Sequence, residues 1–155
     1  MRVLVAHNHY QQPGGEDAVV RDEVALLKHF GHEVTLYERG NEEIGAWPLL
    51  RKVKHLARLD WSADSYRQMR GEIKRFKPDI VHFHNTFFIM TPAVYYACQD
   101  EGVSVVQSLH NFRRMCANGL FFRDGRVCED CTNISDGEGI RHACYRKSRL
   151  LTYSV

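Results

Sequence analysis

The sequence predicts an α/β fold, namely a Rossmann-like parallel sheet flanked by helices, with an irregular Cys-rich insertion. Two observations support this prediction. Short apolar runs alternate along the chain with amphipathic helical patterns, which is the order of elements in a parallel sheet with crossover helices. The first apolar run is also followed at once by a glycine-rich turn and a helical pattern.

The N-terminal part of the chain reads as one strand–turn–helix–strand unit. Residues 2–7 form an apolar run that is typical of a strand buried on both faces. Residues 8–15 form the turn, and apolar residues recur at helical spacing over residues 16–30, with Gly31 as the stop. Residues 33–38 alternate polar and apolar side chains, which predicts a second strand.

The alternation continues after a looser stretch, residues 41–76, which contains two predicted helices. A third strand is predicted over residues 80–84. Thr91 as N-cap and the proline after it predict the start of a helix that ends before Gly102. Residues 104–109 then give a fourth strand.

Periodicity is lost in the last part of the chain. We predict one domain over residues 1–155, with a Cys-rich insertion over residues 112–144. Residues 141–155 have a helical pattern again. Because the chain stops inside that apolar pattern, at Val155, we expect it to be a fragment.

Composition excludes several classes of protein. A net charge of +2 is too small to indicate nucleic-acid binding, so no nucleic-acid partner is expected. Only four apolar residues separate Arg2 from His7, too few for a signal peptide or a membrane span, which predicts a cytoplasmic protein. Five cysteines, an odd number, argue against a disulfide framework and for free thiols or a metal site.

Polar residues follow three of the four predicted strands, where ligands bind in open α/β sheets. We expect the three loops to converge on one cleft. The candidate binding residues in these loops are Gly14, Gly15, Glu16, His84, Asn85, His110 and Asn111. No Ser-His-Asp or Cys-His arrangement indicates nucleophilic catalysis, and the carboxylates of this rim are those of Glu16 and Asp17.

The Pro13-Gly14-Gly15 turn precedes a helix N-terminus, where backbone amides and the helix dipole favour an anion such as a diphosphate. It matches neither a phosphate-binding P-loop nor a GxGxxG fingerprint, so a simple tight turn remains an alternative. Neutral imidazoles at His84 and His110 could bond sugar hydroxyls or polarise a reacting group, whereas His82 is interpreted as structural.

The cysteines of the last part form a spaced set with one close pair. Such spacing fits a structural, four-coordinate zinc site, with unliganded thiols or a redox pair as alternatives. The predicted ligands are Cys116, Cys128, Cys131 and Cys144. His142 could replace Cys144, and Cys98 is interpreted as a core residue.

Residues 47–61 combine apolar and basic side chains in an amphipathic pattern. The pattern fits a helix resting on an anionic membrane surface, a location that would suit a lipid-linked substrate. The alternative is a helix packed on its own core with a solvated basic face.

Taken together, four features resemble the N-terminal domain of family-four glycosyltransferases, the large retaining group with the GT-B fold. The resemblance runs in order through the whole chain, and its last feature is that of a Cys-containing subset. The four features are Pro13-Gly14-Gly15-Glu16, the phrase KPDIVHFHN at residues 77–85, Leu109-His110-Asn111, and Cys116-Ala117-Asn118-Gly119 with the Cys128–Cys131 pair.

The resemblance implies transfer of a sugar from a nucleotide diphosphate sugar to an acceptor, with retention and without a catalytic metal or other cofactor. It places Gly14 and Gly15 at the donor diphosphate and His110, as the catalytic residue, beside the donor sugar. It places His84 and Asn85 on the acceptor side, and we expect Glu16 and Asn111 to bind saccharide at the same rim. Polysaccharide biosynthesis is the process that such an activity would serve.

Family members have a second Rossmann-like domain that holds the nucleotide, and its motifs are not found in these residues. We therefore expect the chain alone to bind donor weakly and not to turn over. One rival is a non-catalytic Rossmann-like binding module with a zinc knob. Another is an epimerase or dehydrogenase, for which Glu38 at the end of the second strand is the only supporting residue.

Overall fold

The structure, a computed structural model, describes residues 1–12, 14–56, 58–135 and 137–154, with Leu56 described by its backbone alone. Pro13, Ala57 and Val155, which figured in the sequence predictions, lie outside the described residues. The chain divides into two compact units, residues 1–108 and residues 109–155, which we describe separately.

The first unit is built on a four-stranded parallel sheet, which confirms the predicted fold class. The strands are β1 (Arg2–His9), β2 (Glu33–Gly40), β3 (Ile80–Phe83) and β4 (Ser104–Gln107), in the spatial order β2-β1-β3-β4. β1 is buried along most of its length because it lies inside the sheet with a layer on each face.

Helices cover both faces of this sheet. On one face, Val20 and Val24 of α1 (Gly15–His29) pack against Val3 and Val5 of β1. On the other face, α3 (Ala63–Phe76) and α4 (Ala93–Asp100) cover a larger core. A 3₁₀ helix (Asn41–Ala46) and α2 (Leu49–Leu56) connect β2 to α3. The larger core includes Leu4, Ala6, Met69, Ile73, Val81, Phe83, Val94 and Cys98.

Cys98, interpreted from the sequence as a core residue, is completely buried in α4, and that burial raises the pKa of its thiol to about 12. The start of α4 differs from the sequence prediction. Thr91 has a left-handed backbone, with φ at 54°, and Pro92 occupies the N-cap position that Thr91 was expected to fill. The Thr91 hydroxyl still accepts a hydrogen bond from the Ala93 amide, at 3.4 Å.

The second unit consists of short elements. Phe122–Arg123 (β5) and Arg126–Val127 (β6) form an antiparallel hairpin across a two-residue turn of Asp124 and Gly125. Both turn residues have positive φ, at 53° and 79°, as a hairpin turn of the I′ kind requires. The helices are α5 (Asp130–Asn133), α6 (Gly137–Arg141) and α7 (Arg149–Tyr153).

The helix predicted over residues 141–155 is present only as α7 within the described residues. Ala143, Arg146 and Lys147 have φ near +50° to +55°, and such residues cannot continue a right-handed helix. In the part of the chain that the structure describes, no helix is long and apolar enough to cross a membrane.

Candidate functional site

Four histidines lie near the carboxyl edge of the sheet in the first unit. His7 and His9 end β1, His82 lies in β3 opposite Val5 of β1, and His84 directly follows β3. Because side chains alternate along a strand, all four fall on the face to which Val5 belongs. That face is the one that α1 covers, so the histidines meet the acidic side chains of α1.

Asp17 of α1 accepts hydrogen bonds from three directions. Its Oδ1 lies 2.9 Å from His7 Nε2 and 2.7 Å from His9 Nδ1. Its Oδ2 accepts the Gly14 backbone amide at 2.6 Å. The second ring nitrogen of His9 lies 2.8 Å from Glu38 Oε1 of β2. Asp17 therefore connects the glycine turn, α1 and the centre of the sheet.

The protonation states follow from these contacts. Partial burial works against ionisation of Asp17, but the Gly14 amide and the His7 and His9 rings hold its pKa at about 2. Burial also opposes protonation of His9, yet its hydrogen bonds to Glu38 and Asp17 raise its pKa. Burial lowers the pKa of His7, and the bond to Asp17 offsets only part of that effect. His9, whose two ring nitrogens both face carboxylates, is thus the ring that binds a proton more readily, and His7 binds one less readily.

Glu23, two turns further along α1, holds the other two histidines. Its carboxylate lies 2.5 Å from His82 Nδ1 and 3.5 Å from His84 Nε2, and the two rings are 4.4 Å apart. His82 Nε2 lies 2.9 Å from the Ser108 hydroxyl. His82 is therefore held from both sides, in agreement with its interpretation as structural. The His84 side chain is fully buried and exposes no surface to an acceptor.

These groups also have the composition of a metal site. His7, His9 and Asp17 form one set, and Glu23, His82 and His84 form another, each with ligand atoms within 4.8 Å of one another. Two histidines and a carboxylate suit several transition metals. In the first set, however, the nitrogen–oxygen separations are hydrogen-bond lengths, shorter than the roughly 3.3 Å between two ligand atoms on a tetrahedral zinc. We therefore treat it as a hydrogen-bonded network.

Asn85 belongs to a buried amide network. Its Nδ2 donates to the Asn8 carbonyl at 2.6 Å, and its Oδ1 accepts the Phe87 amide at 3.0 Å. Asn8 Nδ2 in turn donates to Asn41 Oδ1 at 2.9 Å and to the Phe87 carbonyl at 2.8 Å. Asn41 Oδ1 also accepts the Phe88 amide at 3.2 Å. Three asparagines at the ends of three strands thus fix the backbone after β3.

Gly14 and Gly15 lie at the N-terminus of α1 and are exposed. A methyl group built on either glycine would meet no described atom within 4 Å, so the space beside the turn is open. Glu16, the next residue, lies 3.4 Å from Asn85 Nδ2 through its Oε1. Two of the predicted strand-end loops therefore meet in the first unit, with open space beside the glycines.

A comparison with protein families identifies the family of the chain. The sequence model of Glycosyltransferase Family 4 matches residues 13–127, which are 115 of the 155 residues. The chain belongs to glycosyltransferase family 4. The match includes the glycine turn, α1 and the segment after β3. Comparisons with curated proteins and with solved structures gave no match.

Membership of glycosyltransferase family 4 favours a transferase over the two rival classes. The binding-module interpretation gains no support from it. The dehydrogenase or epimerase interpretation depended on Glu38, and that carboxylate is hydrogen-bonded to His9.

The remaining predicted site residues of the glycosyltransferase belong to the second unit. His110 is half-buried, and Asn111 is exposed, with its Oδ1 accepting the Arg113 amide at 3.0 Å. Of the three predicted strand-end loops, the structure joins two within the first unit. The role of His110 at the donor sugar stays a prediction.

The four cysteines predicted to bind zinc are free thiols in the second unit. Burial raises the pKa of the Cys131 thiol, the Gly139 amide opposes the rise, and the nearby thiols of Cys116, Cys144 and Cys128 add to it. Cys131 thus lies within electrostatic range of the other three thiols, but among the described residues no three of these sulfur atoms lie within 4.8 Å of one another. His142, the proposed substitute ligand, lies 3.4 Å from Glu138.

Helix α2 places apolar side chains in solvent. Leu49, Leu50 and Val53 are 77%, 80% and 56% exposed. The opposite side of the helix carries His55, whose Nε2 lies 3.1 Å from the Phe88 carbonyl. The helix is thus held to the protein by its polar side, which is the reverse of a helix packed on its own core.

Sequence reasoning missed Asp17 as the centre of a network, and it missed Glu23, Asn8 and Asn41 altogether. A signal for the two carboxylates was present. Asp17 is three residues before Val20, and Glu23 is three residues after it, so both lie near the buried stripe of α1. Such carboxylates lie near the face of the helix that packs on the sheet, where the strand-end histidines also lie. Hydrogen bonds between the carboxylates and the histidines could therefore have been predicted.

Proposed function

We propose that the protein forms the acceptor-side half of a retaining glycosyltransferase that takes its sugar from a nucleotide diphosphate sugar. The observation that carries the proposal is the family match, which begins at the glycine turn and continues through α1. The open space beside Gly14 and Gly15 supports it, since a diphosphate must approach that backbone closely.

The residues would act as follows. The N-terminus of α1 attracts the donor diphosphate with its dipole, and Gly15 lets the phosphate oxygens come near the backbone. His110 contacts the donor sugar near the reacting carbon as the catalytic residue. The acceptor hydroxyl attacks from the face that the leaving diphosphate occupies, and the diphosphate helps to remove its proton. No carboxylate nucleophile is needed in this scheme.

The residues predicted to bind saccharide differ in the exposure of their side chains, and so in what they can contact. Glu16 and Asn111 have exposed or half-exposed side chains and are suited to bind hydroxyls. His84 and Asn85 are buried, and they support the loop after β3 through the contacts described above. We assign these two residues to shaping the acceptor side rather than to touching the acceptor.

We further propose that the acceptor is saccharide or lipid-linked and that α2 rests on an anionic membrane surface. The exposed face of Leu49, Leu50 and Val53 is flanked by Arg51 and Lys54, and α2 contains no acidic residue. An apolar stripe bordered by cations is what a helix lying in a bilayer interface needs. The proposed location is the cytoplasmic face of the membrane.

The four cysteines of the second unit are proposed to hold a structural zinc ion. Their spacing along the chain, with the close Cys128–Cys131 pair, supports the proposal, and Zn²⁺ accepts four thiolates tetrahedrally. A closed site of this kind leaves no open position for catalysis. Its role would be to fold the second unit, which has only short helices and a two-stranded hairpin.

The test is a calorimetric titration of the full-length natural protein with UDP-, GDP- and ADP-sugars, together with a transfer assay. Binding of one donor that is lost in Gly15→Trp would support the proposed cleft, and loss of transfer in His110→Ala would support the catalytic role. Gly71→Trp is the matched control, since Gly71 is exposed in α3 with no described atom near it.

Two outcomes would count against the proposal. Failure of the full-length protein to bind any of the three donors, with zinc bound stoichiometrically, would favour the binding module. Turnover by residues 1–155 alone would contradict the expectation that a second domain must hold the nucleotide.

A further inference from the structure

The Asp17 carboxylate does more than cap α1. A side chain at this position often accepts the amide of the residue before the helix, and the bond from Gly14 is of that kind. Such a cap needs only one oxygen. Here the other oxygen is held by His7 and His9, which belong to the central strand of the sheet.

The glycines of the turn are held by backbone contacts, and besides the Gly14–Asp17 carboxylate bond the Asp17 amide donates to the Gly14 carbonyl at 3.2 Å. Gly14 and Gly15 have no side chains to pack, and a methyl group in place of either α-hydrogen would touch no described atom. Glycine loses more backbone conformational entropy on ordering than other residues do. If the turn were not anchored, that entropy would be lost when the ligand binds, and the affinity would be lower. The Gly14–Asp17 hydrogen bond fixes the backbone of the turn before a ligand binds.

The hydrogen-bonded network around Asp17 also reduces the negative charge near the N-terminus of α1. A carboxylate at a helix N-terminus would repel an incoming diphosphate if nothing compensated it. His9 lies between Asp17 and Glu38, at 2.7 Å and 2.8 Å, and a proton on its ring offsets one of the two negative charges. His7, fully buried, fixes the same oxygen of Asp17 from the other side.

We propose that Asp17 is a positioning residue for the donor loop, with His7 and His9 holding its carboxylate in place. By binding the Gly14 amide, Asp17 sets the orientation of the turn so that the Gly15 backbone faces the diphosphate. Asp17 itself does not touch the donor. This inference rests on the proposed function, because it assigns the turn to the donor diphosphate.

The affinity difference between a nucleoside diphosphate and the monophosphate of the same nucleoside tests the idea. The proposed turn binds the diphosphate, and a nucleoside monophosphate lacks the second phosphate of that group, so damage to the turn should reduce that difference. A general loss of stability should weaken both ligands alike. The titrations use the full-length protein with UDP and UMP, or the guanosine or adenosine pair if the wild type prefers it.

The variants are Asp17→Asn and His9→Gln. Asparagine presents an amide NH₂ where one of the three donors now finds an oxygen, and we expect the diphosphate preference to fall about tenfold, as for loss of one charge-assisted hydrogen bond. His9→Gln removes the cation from a partly exposed position, so it should fold even if Asp17→Asn does not, and it should reduce the preference in the same direction. Asp22→Asn, the same change at an exposed site on α1, should leave the preference unaltered.

The outcomes separate this inference from the function on which it rests. A wild-type protein that binds neither diphosphates nor nucleotide sugars would contradict both the proposed function and the positioning role of Asp17. A wild type that prefers the diphosphate, together with variants that melt earlier but keep the full preference, would show that Asp17 is only a helix cap and would overturn the positioning role alone.

Discussion

Replacing Leu50 by glutamine should weaken membrane binding by a predictable amount. Burying a whole leucine side chain is worth roughly 1.5–3 kcal/mol. Leu50 is 80% exposed, so most of that value, about 1.5 kcal/mol, is available on contact with a bilayer. Such a loss corresponds to a little more than a tenfold fall in partitioning. Lys54 adds about 1 kcal/mol only when the surface is anionic, and Arg51 adds less because its guanidinium lies 3.4 Å from the Asp64 carboxylate.

Co-sedimentation of the full-length protein with phospholipid vesicles measures this directly. Wild-type protein should bind phosphatidylglycerol-containing vesicles, bind pure phosphatidylcholine far less, and be released by added salt. Leu50→Gln should lower the partition coefficient about tenfold. Leu26→Gln, a change at an exposed leucine of α1, is the matched control and should bind like the wild type. Equal binding by Leu50→Gln and wild type, or no binding by either, would refute the assignment of α2 to the membrane.

Three further predictions concern stability and metal content. The pKa of His9 is raised in the folded protein, so its contribution to the free energy of unfolding is full below the unfolded value of about 6.5 and is lost as pH rises through the folded value. Urea unfolding of His9→Gln should therefore show a deficit near pH ~5 that shrinks as pH rises past the folded pKa of His9, and a constant deficit would contradict this reasoning. Phe83→Ala should lower the free energy of unfolding by about 3–5 kcal/mol, because Phe83 is fully buried with its ring 4.9 Å from that of Tyr95; a loss below about 1 kcal/mol would contradict the core described here. Cys131→Ser should abolish stoichiometric zinc in elemental analysis while Cys98→Ala retains it, and zinc that survives Cys131→Ser would exclude the four-thiolate site.

The parallel sheet could be predicted because its strands and helices differ in period. The apolar run of β1 and the helical spacing of α1 are local signals, and the structure confirms both. The hairpin of β5 and β6 was missed although Asp124-Gly125 is a strong turn signal, because each strand has only two residues and shows no periodicity. Of the helix predicted over residues 141–155 only α7 forms within the described residues, because the left-handed backbone at Ala143 and Arg146, which has no clear mark in the sequence, interrupts it.

The site was less predictable than the fold. Strand-end position drew attention to the segment around His84 and Asn85, but it does not distinguish a side chain that faces a ligand from one that holds a loop. That distinction depends on partners far away in sequence, such as Glu23 for His84 and Asn8 for Asn85. Only tertiary packing brings those partners together.

The buried thiol of Cys98 gives the first unit a built-in reporter of unfolding. Only the thiolate reacts with alkylating agents, and a thiol that is fully buried with a pKa of about 12 has neither access nor charge. The modification of Cys98, read by peptide mass in a brief alkylation pulse, would therefore count the molecules whose core between the sheet and α4 has opened. Each variant named above that keeps Cys98 could be compared on that scale in its own alkylation pulse, without a spectroscopic label and at the concentrations used for the binding assays.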